Sequence, residues 1–292
     1  MSIKLTLIFY LLRPIQITEP DFFCIIFSIK MEYKLSAQQI SEFQSNGHIL
    51  LPEVASQTEI KLYRSIISKA VYENSTETRK LSERDTYGRA FLQITNLWES
   101  NEAIKKFVFT RKFAQMAADL MGVEKVRLYH DQALFKEAGG GYTPWHQDQF
   151  YWNLDTSQTI TMWMPLIDVS VEMGLMKFAR KSHQDGLFEA VTISDKSDEI
   201  YAQIIERERF EISQPVQMKA GDATFHYGHT IHCAEPNQSK ITREVMTIIY
   251  FADGAKITEP INHFQKADHE RWLDSIPVGK LANGKLNPII NL

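Results

Sequence analysis

The chain has 292 residues, of which 44% are apolar, 11% aromatic and 23% charged, the balance of a globular protein long enough for one large domain or two small ones. A formal charge of -4 and a pI of about 6.2 exclude the global basic field that holds nucleic acid. With only Cys24 and Cys233, no disulfide framework can form, and a reducing, cytoplasmic setting is the expectation.

Residues 1–30 contain two apolar runs, 3–12 and 22–29, separated by Arg13, Pro14, Glu19, Pro20 and Asp21. Neither approaches the ~20 apolar residues that span a bilayer. No small-residue cleavage site follows the first run, so it does not read as a signal peptide. Met31 has the look of a natural start. Residues 1–30 are therefore expected to be an extension outside the native domain, which covers 31–292.

From there the signals are regular. Leu35, Ser36 and Gln39 form a hydrophobic staple and capping box, opening a helix that should stop at Asn46-Gly47. A short strand over 49–51 follows. Ser56 and Glu59 form a second capping box, and Ile60, Tyr63, Ile67 and Val71 recur at helical spacing behind it. Residues 73–89 are polar without periodicity and read as a mobile loop, with a lid over an active site favoured over a plain surface loop. Helices are expected near 100–107 and over 111–121, the second closed by Gly122.

Beyond Gly122 the pattern becomes strand-like: 126–136, 159–169, 174–179, 223–231 and 243–251 are rich in β-branched and aromatic residues. Gly139-Gly140-Gly141 and Ala220-Gly221-Asp222 mark turns. Many short strands punctuated in this way imply a sandwich or jelly roll. The helical N-terminal section should pack on the outside of that β core, giving a mainly β protein with flanking helices.

Nine histidines carry the functional signal. In His146-Gln147-Asp148, strand geometry would turn imidazole and carboxylate to one face. The pattern alone is weak, because His183-Gln184-Asp185 repeats it. The first triplet lies in the aromatic run 145–152, where Trp145, Phe150, Tyr151 and Trp152 could wall a pocket. The second lies in a polar turn ending at Gly186. A third ligand can come from 226–232, where His226 and His232 share parity and would share a strand face, with His229 pointing away. Two histidines and one carboxylate form the facial triad that leaves open positions on non-haem Fe(II) for a bidentate 2-oxo acid and dioxygen. Arg243 suits the 2-oxo acid's distal carboxylate, since guanidinium binds carboxylate through two parallel hydrogen bonds.

The spacing His146-x-Asp148 … His232, with Arg243 eleven residues later, resembles the phytanoyl-CoA dioxygenase family of Fe(II)/2-oxoglutarate oxygenases. Thr143-Pro144-Trp145-His146-Gln147-Asp148, Thr161-Met162-Trp163-Met164-Pro165-Leu166, Ser182-His183, the run from His232 to Ser239 and the closing Leu286-Asn287-Pro288 carry the same resemblance. It implies a double-stranded β-helix with iron between its sheets, bound by His146, Asp148 and His232. It further implies that Arg243 anchors 2-oxoglutarate, that Trp163 lines its pocket, and that His183 is structural. Dioxygen, Fe(II) and 2-oxoglutarate would then convert a C–H bond of a small molecule to an alcohol, with release of succinate and CO2. Asp148 argues against halogenation, for which relatives replace this carboxylate by a small residue. Arg180-Lys181 departs from the Pro-Gly that often precedes the family's Ser-His. No basic cluster near these motifs marks a coenzyme A phosphate site, so the substrate is expected to be a small metabolite. Two alternatives stay open: a cupin-like isomerase or epimerase that does not use 2-oxoglutarate, and a non-catalytic binder on the same fold.

Overall fold

Helix α1 (Ala37–Asn46) starts where Ser36 accepts from Gln39 N and Gln39 reaches back to Ser36 N, and it ends at Gly47 in the left-handed region (φ 82°). The computed structural model describes residues 33–291; the boundary at Met31 and both apolar runs before it lie outside the described residues. Strand β1 (His48–Leu51) follows at once, then α2 (Gln57–Asn74), opened by the Ser56–Glu59 box. Both capping boxes are formed as their sequences predict.

Residues 73–89 differ from the expected loop. After α2 the chain makes a 3₁₀ turn (Leu81–Glu83) and a short α3 (Thr86–Ala90), in which Asp85 caps Gly88 N. Arg84 pairs with Glu137 at 2.5 Å, and Thr86 Oγ1 donates to Asp195. This segment is held by caps and tertiary polar contacts, which leave no hydrophobic period to read. Next come β2 (Leu92–Thr95), α4 (Leu97–Ser100), α5 (Glu102–Val108) and α6 (Arg111–Met121), the last closed by left-handed Gly122.

The β core contains β3 (Val126–Phe135), β4 (Thr143–His146), β5 (Thr159–Pro165), β6 (Met176–Phe178), β7 (Ala223–Tyr227), β8 (His232–Ala234) and β9 (Val245–Ala252). Six strands form an antiparallel sheet in the order β1-β7-β5-β9-β3-β2; β4, β8 and β6 form a three-stranded antiparallel sheet in the order β4-β8-β6. The helices α1, α2 and α4–α6 cover the large sheet, and Phe43, Ile67, Phe107, Phe113, Leu128 and Phe225 are among the fully buried side chains of that layer. This is the expected jelly roll with the helical section outside it.

Two further helices escape the strand pattern: α7 (Asp195–Glu208), capped by Ser194, and α8 (His263–Trp272), capped by Asn262. The expected strand over 223–231 is broken. β7 ends at Tyr227, residues 228–231 turn, and β8 begins at His232 in the other sheet.

Candidate active site

The small sheet sets the first two side chains. His146 ends β4 and is the register partner of His232, the first residue of β8. Their rings stand 4.1 Å apart. Asp148 is not on the strand, as period-two reasoning expects, because the chain leaves β4 at His146 and enters a 3₁₀ turn (Asp148–Tyr151). The turn brings the carboxylate back to the imidazoles, with Asp148 Oδ1 3.5 Å from His146 Nε2 and 3.7 Å from His232 Nε2.

Each imidazole is oriented from behind. His146 Nδ1 lies 2.7 Å from the Pro144 carbonyl and His232 Nδ1 2.9 Å from that of Thr230. A carbonyl only accepts, so both rings carry hydrogen on Nδ1 and present the Nε2 lone pair forward. Burial, and then the neighbouring His146 and His226, hold His232 well below its ordinary pKa, so it stays neutral. Burial alone would raise Asp148; the neighbouring His232, His146 and His226 rings outweigh it and hold the carboxyl well below the usual range. One ligand atom from each of the three residues lies within 4.8 Å of the others, and no second group of this kind occurs among the described residues. Bonds of ~2.1 Å to a common ion would place adjacent donor atoms ~3 Å apart, so a small contraction around the ion suffices.

His183-Gln184-Asp185 takes no part. It lies on a 3₁₀ turn (Ser182–Asp185), where His183 stacks on Tyr227 at 5.1 Å and bonds the Gln44 carbonyl.

Sequence reasoning weighed His226 but gave it the wrong place. It sits on β7 in the large sheet, directly opposite Thr161 of the neighbouring β5, and faces His232 from the opposite sheet at 4.4 Å. His226 Nε2 lies 3.3 Å from Asp148 Oδ2, and Thr161 Oγ1 donates to the same oxygen at 3.1 Å. Thr161 was legible only as a strand residue, because its role depends on two sheets meeting.

Arg243 is fully buried just before β9, where its main chain pairs with that of Lys136 in both directions. Its Nη1 donates to the Gly174 carbonyl, Nε has no hydrogen-bond partner, and no carboxylate lies within ion-pair distance among the described residues. Its Cζ lies 5.2 Å over the Trp163 ring and 5.8 Å over Phe91. Burial pushes the guanidinium down to about 9, so it is still charged near neutrality. A buried cation with an orphaned donor and no acidic partner is costly unless an anion joins it.

His146, Asp148, His232, Arg243 and Trp163 all line one cavity of about 980 Å³. Tyr151 and Trp152 face it as well, whereas Trp145 packs with Tyr201 and Ile231 on the α7 side. Asn74, Asp85 and Tyr87 reach the same cavity from the segment read as a lid. That segment is tied across to α7, where Thr86 and Tyr142 donate to one oxygen of Asp195 at 2.8 and 2.7 Å.

A double-stranded β-helix enclosing a His-Asp-His cluster defines a non-haem Fe(II)- and 2-oxoglutarate-dependent dioxygenase. The profile of the family described as phytanoyl-CoA dioxygenase (PhyH) matches residues 43–245. The chain belongs to that family. It is 25% identical over 227 residues to the methylphosphonate hydroxylase of Gimesia maris, covering 76% of this chain and 83% of that protein. It is 22% identical over 282 residues to a phytanoyl-CoA dioxygenase domain-containing protein 1 homolog of Dictyostelium discoideum, covering 82% and 100%. Among solved structures, the fold is similar to that of the non-haem alpha ketoglutarate-dependent carbocyclase SnoK from nogalamycin biosynthesis, with a TM-score of 0.73, 24% identity and coverage of 88% and 97%. The epimerase SnoN, in complex with Fe3+, alpha ketoglutarate and nogalamycin RO, aligns with a TM-score of 0.70 at 21% identity, covering 87% and 97%.

Proposed function

We propose that His146, Asp148 and His232 hold Fe(II), that Arg243 anchors the distal carboxylate of 2-oxoglutarate over Trp163, and that the enzyme hydroxylates a small metabolite in the cytoplasm. A single oxygenase domain running from near Met31 to the C-terminus carries this activity. The observation that supports the reading most is the pairing of two forward-facing imidazole Nε2 atoms and a carboxylate with a buried arginine that lacks an anionic partner, all on one cavity.

Iron and 2-oxoglutarate supply the chemistry that couples dioxygen to loss of CO2, formation of succinate and insertion of one oxygen atom into a substrate C–H bond. The chain's own groups bind and orient. The carbonyls of Pro144 and Thr230 hold the His146 and His232 rings by Nδ1, so that Nε2 of each faces the cluster. Thr161 and His226 occupy Asp148 Oδ2, so that Oδ1 would be the oxygen to hold the ion. Arg243 supplies two-pronged recognition of a carboxylate, and its bond to Gly174 O fixes the guanidinium. Tyr151 and Trp152 help exclude water around the reacting centre. The relatives' names include a hydroxylase, a carbocyclase and an epimerase. Hydroxylation is favoured here by the intact Asp148 and by the methylphosphonate hydroxylase relationship.

The decisive test is anaerobic titration of the purified protein with Fe(II) and 2-oxoglutarate, following the metal-to-ligand charge-transfer absorption. A band that appears only with both components is expected, with succinate release on admitting air. A protein that binds neither would overturn the assignment.

A further inference from the structure

Helix α8 presents Phe264, Asp268, Arg271 and Trp272 to the active-site cavity, at the i, i+4, i+7, i+8 spacing of one helix face. These residues lie outside the segment matched by the family profile, which ends at residue 245. Helix α8 is fixed in place: Gln265 Nε2 donates to the Phe150 carbonyl at 3.0 Å, and Tyr129 OH donates to Asp268 Oδ2 at 3.1 Å.

Strand β3 meets this face through a β-bulge, where the register with β9 slips between Leu128 and His130. Before the slip, Val126 and Leu128 pack under the helices; after it, Ala133 and Phe135 do. The change of parity brings Tyr129 and His130, consecutive in sequence, to the side of Trp272. His130 is 4% exposed, lines the cavity, and its Nδ1 has no hydrogen-bond partner. Burial pushes this imidazole down to about 3, so it is a neutral ring able to donate one N–H. It lies within electrostatic reach of both Asp148 and Arg271, and all three line the same cavity. Arg271 is exposed, stacks on Trp272 at 4.2 Å, and has no acidic group within ion-pair distance among the described residues.

We propose that Arg271 and His130 form an acid-group subsite, so that the substrate is a compact organic anion, a carboxylate or an organophosphorus acid, held with its reacting carbon between His130 and the iron. The subsite rests on the reading that His146, Asp148 and His232 hold Fe(II) with 2-oxoglutarate. The stacked guanidinium supplies a fixed fork for two acid oxygens, and the His130 N–H supplies a third donor. Trp272, Phe264 and Trp152 wall the carbon chain.

The test uses the anaerobic Fe(II)–2-oxoglutarate enzyme and three probes of matched length: pentanoate, butylphosphonate and the neutral pentanamide. At least one acid should perturb the charge-transfer band while the amide does not, and which acid does so separates the carboxylate from the organophosphorus source. Arg271→Gln should raise that acid's apparent dissociation constant about tenfold, the usual scale for a charge-assisted hydrogen bond, with the 2-oxoglutarate titration unmoved. His130→Phe should weaken the same acid independently of the arginine variant. Equal binding of the amide, equal binding of the acid by Arg271→Gln, or a normal band that no acid perturbs overturns the subsite. An acid that merely competes with 2-oxoglutarate also overturns it, because it is acting at Arg243. Absence of the band in the unmodified enzyme would instead strike at the iron and 2-oxoglutarate reading.

Discussion

His226 Nε2 sits 3.3 Å from Asp148 Oδ2, while the other carboxylate oxygen, Oδ1, faces His146 and His232. With Thr161 on the same Oδ2, the carboxylate is held from the large sheet and offered from the small one. A carboxylate anchored by one oxygen binds a metal through the other, and such outer contacts tune affinity by roughly 10–100-fold. His226→Phe should therefore weaken Fe(II) binding by about that factor, and His226→Gln, which can still donate, should recover much of it. Anaerobic equilibrium titration with Fe(II), or with Co(II) followed by its visible absorption, reads the effect; unchanged affinity would remove His226 from the metal's support.

The three ligands should behave as a unit. His146→Ala or His232→Ala is expected to abolish both the charge-transfer band and any metal-dependent rise in Tm. Each leaves only two donor groups and an open coordination sphere. Thermal unfolding with and without Fe(II) under argon checks this, and a retained metal-dependent shift in both variants would contradict the ligand set.

Arg243→Gln should leave Fe(II) affinity near its original value and raise the 2-oxoglutarate concentration needed for half-maximal band intensity by about 10-fold or more. The neutral side chain also removes a buried charge, so no large loss of stability is expected. A variant with normal 2-oxoglutarate binding would show that the guanidinium serves some other anion.

Gly174 has φ 80°, and a Cβ built there would lie 2.1 Å from the Glu235 carbonyl oxygen. Its own carbonyl accepts from Arg243 Nη1. Gly174→Ala is therefore strained twice and must move the chain beyond β8 together with the Arg243 anchor. A loss of about 2 kcal/mol or more in unfolding free energy is expected, with weaker 2-oxoglutarate binding. Denaturant unfolding and the band titration on the same preparation test both effects.

Asp268 is pushed up to about 6, first by burial, against the opposing hydrogen bond from Tyr129. The folded protein thus holds this proton more tightly than the unfolded chain, whose carboxyl titrates near 3.8. Its favourable contribution is complete below about pH 3.8 and is lost as pH rises through about 6. Asp268→Asn should consequently stabilise the protein by about 1–3 kcal/mol at pH 7–8, with the gain gone below about pH 4. Chemical unfolding at the two pH values measures it; a gain of equal size at both would assign the effect to something other than titration.

Local grammar was legible without coordinates. The Ser36 and Ser56 capping boxes and the stop at Gly47 are present as written in the chain, because each depends on contacts within a few residues. The short strands are legible from their β-branched and aromatic composition and the turns between them. The failures have a common cause. The segment after α2 carries no period because Glu137 and Asp195 hold it from afar. Helix α8 was missed because its inward face mixes Phe264 and Trp272 with Asp268 and Arg271, which blurs the apolar stripe a core helix shows. Asp148 was expected on a strand and lies on a turn, yet still meets the histidines.

The sequence by itself determined a sandwich or jelly roll, narrowed to the latter by the family resemblance. It also determined the pair of histidines with a carboxylate and the arginine eleven positions beyond, since residue identity and spacing along one chain suffice for these. Only the tertiary structure decided that His226 opposes His232 from the other sheet, that Thr161 shares Asp148 with it, and that a bulge in β3 carries His130 to meet α8. Those relations join residues far apart in sequence. They are set by sheet register and by the closing of two sheets over one cavity, which no local pattern encodes.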